Sequence, residues 1–152
     1  MFTMKRALTS LACVGLAITT SGIAEAQGGV KASQPATVSQ TIGAKNVITI
    51  NYHRPGVKGR DVWNDKSDNP QIGPLVPRDG NPRPWRAGAN NSTSIEVTQD
   101  CKVGGKDLPA GKYAIFMIPT DGEWTVIINK EIKWGSFQYK EENDVLRVQV
   151  TP

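Results

Sequence analysis

Two groups of polar residues suited to anion binding lie at positions 54–60 and 86–90, and each has a tryptophan nearby in sequence. Arginine presents a planar fork of N–H donors that matches carboxylate, phosphate or sulfate, and an indole can pack beneath a guanidinium or stack on a sugar ring. We therefore predict a binding surface for a small anionic or carbohydrate-like ligand, formed by Arg54, Lys58, Arg60, Trp63, Trp85, Arg86 and Asn90. The alternative is that these polar side chains bond loop carbonyls while the tryptophans cover the end of the core.

The sequence predicts neither a metal site nor a cofactor. A zinc site needs several histidine or cysteine ligands, whereas the chain has one histidine, His53, and only Cys101 beyond the first 26 residues. The spacing of the candidate calcium ligands matches no calcium loop; they are Asp61, Asp65, Asp68 and Asn69. We interpret Cys101 as a small buried apolar residue, with no partner for an intrachain disulfide.

Familiar catalytic motifs are missing from the sequence. It contains no Gly-x-Ser-x-Gly elbow, no phosphate-binding loop and no His-Glu-x-x-His. A glycosidase-like pair of carboxylates could be drawn from Asp61, Glu96 or Asp144, but nothing singles out a pair. We therefore predict no catalytic residues and lean against an enzyme.

The sequence patterns predict that short β-strands position the binding surface. Val47 to His53 alternates between polar and apolar residues, which is typical of a half-buried strand. Tyr113 to Ile118 is apolar on both faces, as in a central strand, and Asp121-Gly122 favours a hairpin leading into Trp124 to Ile128. Further candidate strands are Ala36 to Ile42, Thr93 to Gln99, Cys101 to Val103, Ser136 to Tyr139 and Val145 to Thr151. About eight short strands and no amphipathic helix predict an all-β fold, an antiparallel sandwich or barrel-like domain.

One segment interrupts this pattern. Arg54 to Ser92 shows little periodicity and holds most of the prolines, and irregular stretches of this length are uncommon in compact domains unless functional or disordered. We predict one β domain over residues 36–152, with a long irregular insertion around 64–81.

The N-terminal residues are typical of a cleavable signal peptide. Lys5 and Arg6 precede a run of small and apolar residues that is too rich in Ser and Thr for a stable membrane span, and Ala24-Glu25-Ala26 matches the pattern that signal peptidase recognises. We therefore predict a signal peptide over residues 1–26, a flexible segment over 27–35, and a periplasmic or extracellular location.

The charge of the chain argues against nucleic-acid binding. The net charge is only +4, and the basic residues are spread along the sequence without a run. A nucleic-acid interface would need a basic patch or stripe.

Several motifs follow one another in the order typical of one bacterial family. They are Ala36 to Gly43, Arg54-Pro55 with Val57 to Arg60, Trp85 to Asn90, Leu108 to Tyr113, Glu123 to Asn129, Trp134-Gly135 and Asp144 to Val148. By these motifs the chain resembles the domain-of-unknown-function family 2911, small exported bacterial proteins, over about residues 33 to 152. The resemblance implies an exported β domain and no particular activity. Between Trp63 and Trp85 the chain departs from the family pattern, because its link there is longer.

Three hypotheses for the function follow. The first is an exported module that binds a small anionic or carbohydrate-like ligand through the predicted surface. The second is a structural or interaction module of the cell envelope, in which the arginines and tryptophans serve stability alone; the partner is an unknown small molecule or an envelope component. The third is an enzyme that acts on an envelope polymer. For a ligand site, the guanidinium groups of Arg54, Arg60 and Arg86 should converge on an open cleft.

Overall fold

Eight antiparallel strands form the fold, in a computed structural model that describes residues 32–63, 76–81 and 83–152. The strands are β1 (Ser33–Ile42), β2 (Asn46–Pro55), β3 (Ser94–Val97), β4 (Cys101–Val103), β5 (Lys106–Leu108), β6 (Gly111–Ile118), β7 (Trp124–Asn129) and β8 (Asp144–Val150). A short 3-10 turn covers Glu141–Asn143. The predicted all-β antiparallel fold of about eight strands is therefore confirmed. The predicted signal peptide, residues 27–31 and most of the predicted insertion lie outside the described residues.

Six of the strands form one sheet in the order β1-β2-β3-β6-β7-β8, and β4 and β5 form a separate hairpin. Neighbours in the sheet follow one another along the chain, except β3 and β6. The connection from β2 to β3 carries the long irregular segment, and the hairpin stands between β3 and β6. The sheet thus places the segment that carries the predicted ligand residues beside β2 and β6.

The core lies between one face of the sheet and the β4–β5 hairpin. Leu108 of β5 is fully buried and packs with Val97, Ile115 and Ile128 of the sheet. Cys101 is only partly buried and packs against the same cluster as a free cysteine. On the opposite face, a smaller cluster of Ala114, Phe116 and Ile127 is covered by Ile118 and Tyr139. Burial on both faces explains why Tyr113 to Ile118 of β6 is an apolar run.

The predicted strand over Ser136 to Tyr139 is wrong. This segment is a turn in which the Tyr139 amide donates to the Ser136 carbonyl at 3.1 Å. The two aromatic residues of this turn differ in burial. Tyr139 packs edge-on against Phe116, with ring centroids 5.1 Å apart, whereas Phe137 is exposed. The missing strand is β5, which pairs with β4 across the Gly104-Gly105 turn.

A polar network closes the end of the second cluster. The Asp144 carboxylate, buried beside β7, accepts hydrogen bonds from the Tyr139 hydroxyl, the Arg147 Nε and the Asn129 amide, each at 2.8 Å. Arg147 Nη2 donates to the Tyr139 hydroxyl at 2.7 Å. Burial, reinforced by the adjacent Asp144 carboxylate, raises the pKa of Tyr139 to about 12. The neutral phenol is therefore the form that the fold stabilises.

Replacing Tyr139 with phenylalanine should make the stability less sensitive to alkaline pH. An unfolded tyrosine titrates near pH 10, so the unfolded chain loses this proton before the folded one does. The contribution of the protonated Tyr139 to the free energy of unfolding is complete below about pH 10 and is lost as the pH rises through about 12. Urea unfolding at about pH 8 and about pH 11 should show a smaller drop in the free energy of unfolding for Tyr139→Phe than for the wild type. Equal drops in the two proteins would contradict the coupling.

Candidate functional site

A cleft of about 490 Å³ opens where β2 ends, between that strand end and the irregular segment. One wall comes from the loop that follows β2, the second from Val76, and the third from residues 85–89. Residues that line it are Ser33, His53, Pro55, Gly56, Val57, Arg60, Val62, Trp63, Val76, Trp85, Arg86, Ala87, Gly88 and Ala89. The cleft falls within the size range of small-molecule sites, and its lining is mostly apolar.

Backbone pairing with β6 fixes the wall that contains Trp85. The Trp85 amide donates to the Met117 carbonyl, and the Met117 amide donates to the Trp85 carbonyl, both at 2.8 Å. This bridge continues the sheet beyond β3, so that Trp85 and Arg86 are placed by a central strand. Functional side chains positioned on a sheet are held more rigidly than those on loops.

The next turn of this wall lies tightly against β2. A Cβ atom at Gly88 would approach the Thr93 hydroxyl to 3.0 Å and the His53 carbonyl to 3.1 Å. Thr93 holds the turn by donating its hydroxyl to the Ala87 carbonyl at 2.9 Å. Ala87 itself has a left-handed backbone, with φ of 53°. Glycine at position 88 is therefore the residue that allows the wall to close against β2.

The second wall joins two parts of the irregular segment, at Val62 and Val76. The Val76 amide donates to the Val62 carbonyl at 3.1 Å, and Val76 is buried. Next to this bond, Trp63 packs edge-on against Trp124 with ring centroids 6.1 Å apart, and the Arg78 guanidinium lies 5.7 Å from the Trp63 ring. Trp63 is 39% exposed, so one part of the indole supports the wall while another faces the cleft.

Arg86 provides the most unusual polar group in the cleft. Its Nε is buried and has no hydrogen-bond partner among the residues that the structure describes. Burial lowers the pKa of Arg86 below its usual value, because the charged guanidinium loses solvation. The guanidinium still carries its charge at neutral pH, since arginine in proteins is effectively always protonated. A buried donor without a partner is a destabilising feature that an incoming acceptor would relieve.

Arg60 is held differently from Arg86. Its Nε donates to the Val57 carbonyl at 2.9 Å and its Nη2 to the Gly56 carbonyl at 2.6 Å. These bonds fold the loop around the guanidinium. Within the described ranges, no Asp or Glu forms an ion pair with Arg54, Arg60 or Arg86, and no acidic side chain lines the cleft.

The cleft brings together four of the seven predicted ligand residues, namely Arg60, Trp63, Trp85 and Arg86. The other three are placed elsewhere. Arg54 is exposed and donates from Nη2 to the Gln34 side chain at 3.2 Å across the β1–β2 pair. Lys58 is exposed in a left-handed turn, and Asn90 uses its carbonyl to accept from the Gly135 amide at 2.8 Å. The three guanidinium groups therefore do not all converge, since only two of them line the cleft.

The sequence prediction missed the apolar lining of this cleft. Val57, Val62 and Val76 contribute to its walls, but valines in a sequence are ordinarily interpreted as core residues. The one available signal was the position of Val57 between Gly56 and Lys58, in a loop that gives it no strand in which to be buried.

The chemistry offered by the cleft is recognition by cationic donors and apolar surface. In the described part of the chain, no group of three or more His, Cys, Asp or Glu side chains is arranged to hold a metal ion. The described residues also include no helix of the length and apolarity needed to cross a bilayer.

Comparison with known proteins gives one match. A family model described as a protein of unknown function (DUF2911) matches residues 33–152, which span every strand of the fold. No curated protein and no solved structure matches the chain.

Proposed function

The chain belongs to the DUF2911 family of proteins of unknown function, and from its own cleft we propose that it is an exported binding module for a small molecule. The ligand combines a carboxylate, phosphate or sulfate with an apolar or ring-shaped body. Arg86 binds the anionic group, and the valines and tryptophans of the cleft contact the body. The observation that carries the proposal is the buried Arg86 Nε, which lies in an apolar cleft and has no partner among the described residues.

The electrostatics support an anionic ligand in preference to a neutral one. A carboxylate or phosphate oxygen would satisfy the unpaired donor, and charge-assisted hydrogen bonds of this type are the strong ones. No acidic side chain in the described lining competes for the guanidinium. The positive charge of the arginines in the cleft is therefore available to an anionic ligand, because no carboxylate in the described lining neutralises it.

The shape and composition support an apolar body next to the anionic group. Val57, Val62 and Val76 contribute aliphatic surface, and Trp63 and Trp85 contribute aromatic surface. Inorganic phosphate or sulfate alone would leave this surface uncovered, whereas a ring or chain would bury it. A ligand with both parts uses all of the cleft.

A purely structural role is the second candidate, because two observations favour it. Arg60 donates to carbonyls of its own loop, and Trp63 packs against Trp124. On this alternative the domain is an envelope interaction module whose arginines and tryptophans serve the stability of the irregular segment.

Binding is tested with benzoate, phenyl phosphate and phenyl sulfate, with neutral benzamide as the comparison. At least one of the anions should raise the melting temperature, by mass action, while benzamide should not. Arg86→Gln should weaken the binding of that anion by about 10-fold to 100-fold, the loss of a hydrogen bond from a charged group. Titration calorimetry gives the dissociation constants.

Arg54→Gln is the matched control, because Arg54 is of the same type but lies outside the cleft. It should bind the anions as the wild type does. Without ligand, Arg86→Gln should melt within a few degrees of the wild type, since it removes an unpaired donor. A drop of several degrees for Arg86→Gln, together with no binding of any of the three anions, would favour the structural role.

The proposed location is the periplasm or the extracellular space. Protein purified from an exporting bacterial host should have the intact mass of a chain that begins at Gln27, because Ala24-Glu25-Ala26 fits the signal peptidase pattern. A folded, membrane-attached product that retains Met1 to Ala26 would contradict export.

A further inference from the structure

Two aromatic side chains in the connection between β7 and β8 are unusually exposed. Trp134 is 63% exposed and Phe137 is 64% exposed. Their rings lie 6.0 Å apart between centroids with an interplanar angle of 23°. Exposed apolar patches of this kind mark interaction sites more often than isolated exposed residues do.

This aromatic pair is held rigidly. The Ser92 amide and hydroxyl both donate to the Lys133 carbonyl at 2.9 Å, and the Gly135 amide donates to the Asn90 carbonyl at 2.8 Å. Gly135 has φ of 72°, and a Cβ atom there would lie 2.8 Å from the Phe137 ring. The backbone on both sides of Trp134 is therefore hydrogen-bonded to the segment before β3. A preorganised surface binds with a smaller entropic penalty.

A second cleft of about 310 Å³ lies beside Phe137 and shares no lining residue with the first. Its charged side chains are of both signs: Arg83 and Arg147 supply donors, while Asp79 and Glu141 supply acceptors. The Arg83 guanidinium lies 4.9 Å from the Phe137 ring centroid. Arg147 is already engaged within the fold, because its Nε donates to Asp144 and its Nη2 contacts both Tyr139 and Glu141. The first cleft, by contrast, has cationic side chains and no acidic ones among its described residues.

Mixed donors and acceptors next to a flat aromatic surface fit one class of ligand. Each hydroxyl of a sugar both donates and accepts a hydrogen bond, so a sugar can use an arginine and a carboxylate at once. The C–H face of a pyranose ring is apolar and matches an aromatic ring. The carboxylates of Asp79 and Glu141 offset the charge of the two arginines, so this cleft does not favour an anion as the first one does. A purely apolar ligand would leave the charged side chains of the cleft without new partners.

We propose that Trp134, Phe137 and the adjoining cleft form a carbohydrate-binding site, separate from the anion site. A pyranose ring stacks on the exposed indole of Trp134, which is stacked against Phe137. The hydroxyls of that sugar or of its neighbour in the oligosaccharide bond to Arg83, Asp79 and Glu141. Asn90 acts at this site as a positioning residue, because its carbonyl holds Gly135 and with it the aromatic pair.

Cellotetraose, chitotetraose and maltotetraose are the probes, titrated by calorimetry into the purified protein. At least one should bind the wild type, and Trp134→Ala and Phe137→Ala should each weaken that binding by more than about tenfold, as expected when an aromatic anchor is truncated. Both side chains are largely exposed, so the melting temperatures of the variants should stay near that of the wild type. Melting curves are recorded for each variant to confirm that it is folded.

Trp63→Ala is the matched control, because Trp63 is a partly exposed tryptophan that lines the first cleft. It should bind the oligosaccharide with unchanged affinity, and Trp134→Ala should bind the phenyl anions as the wild type does. The proposal is overturned if none of the three oligosaccharides binds the wild type or if Trp134→Ala binds as tightly as the wild type. It is also overturned if Trp63→Ala loses as much affinity, which would place the sugar in the first cleft. Binding of the wild type to phosphatidylglycerol vesicles, lost in Trp134→Ala while no oligosaccharide binds, would assign the aromatic pair to a membrane surface instead.

Discussion

Replacing Gly104 with alanine should destabilise the fold by about 3 kcal/mol, the sum of two separate effects. The left-handed backbone of Gly104, with φ of 57°, costs an L-residue about 1–2 kcal/mol. The new Cβ would also overlap Val148 Cγ1 and lie 3.1 Å from Cγ2, and overpacking of a core typically costs about 1–3 kcal/mol. Urea unfolding measures the change in the free energy of unfolding. Thermal melting should show a melting temperature lowered by about ten degrees.

Gly105→Ala is the control that separates these effects. Gly105 lies in the same turn with φ of 79°, but a Cβ there would meet no atom within 4 Å. Its substitution should therefore cost only the backbone part, about 1–2 kcal/mol. Equal destabilisation by the two alanines would show that contact with Val148 plays no part.

Leu108→Ala should lower the free energy of unfolding by about 4 kcal/mol. Leu108 is 0% exposed and is the β5 residue that packs against Val97 and Ile115 of the sheet. Truncating a buried leucine costs about 2–5 kcal/mol, through lost transfer free energy and the cavity left behind. Chemical denaturation followed by circular dichroism gives the change.

The comparison variant for Leu108→Ala is Val150→Ala. Val150 is apolar and belongs to a strand, but it is 36% exposed near the end of β8. Its truncation should cost under about 1 kcal/mol, because only part of the side chain leaves an apolar environment. A loss below about 1 kcal/mol for Leu108→Ala would mean that the hairpin contributes little to the core.

Alternation along the chain was sufficient to predict most of the sheet. Val47 to His53 lies inside β2, and Tyr113 to Ile118 lies inside β6. Alternation identified β2 because successive side chains of a strand point to opposite faces of the sheet. An unbroken apolar run identified β6 because both faces of that strand are covered. Both patterns failed for β5, whose three residues Lys106–Leu108 include a single apolar side chain. The formation of β5 depends on the Gly104-Gly105 turn and on packing against the sheet. Neither feature produces a periodic pattern in the sequence.

The candidate site was predictable only where residue type decides the role. Arginine and tryptophan identified Arg60, Trp63, Trp85 and Arg86, which line the cleft. Asn90 could not be assigned from sequence, because its role depends on its left-handed backbone and on a carbonyl that binds Gly135. Carbonyl partners are set by tertiary contacts, and any residue type supplies the same carbonyl.

The hydrogen bond from the Val76 amide to the Val62 carbonyl has a consequence for how the length of this chain can change. Because the chain is joined at that point, adding residues between Val62 and Val76 raises the entropic cost of closure only with the logarithm of their number. Doubling the loop costs about 0.6 kcal/mol. The length of the link between Trp63 and Trp85 can therefore diverge with little effect on the stability of the sheet. The Gly104-Gly105 turn should not tolerate such changes, because Gly104 lies against Val148 of the core.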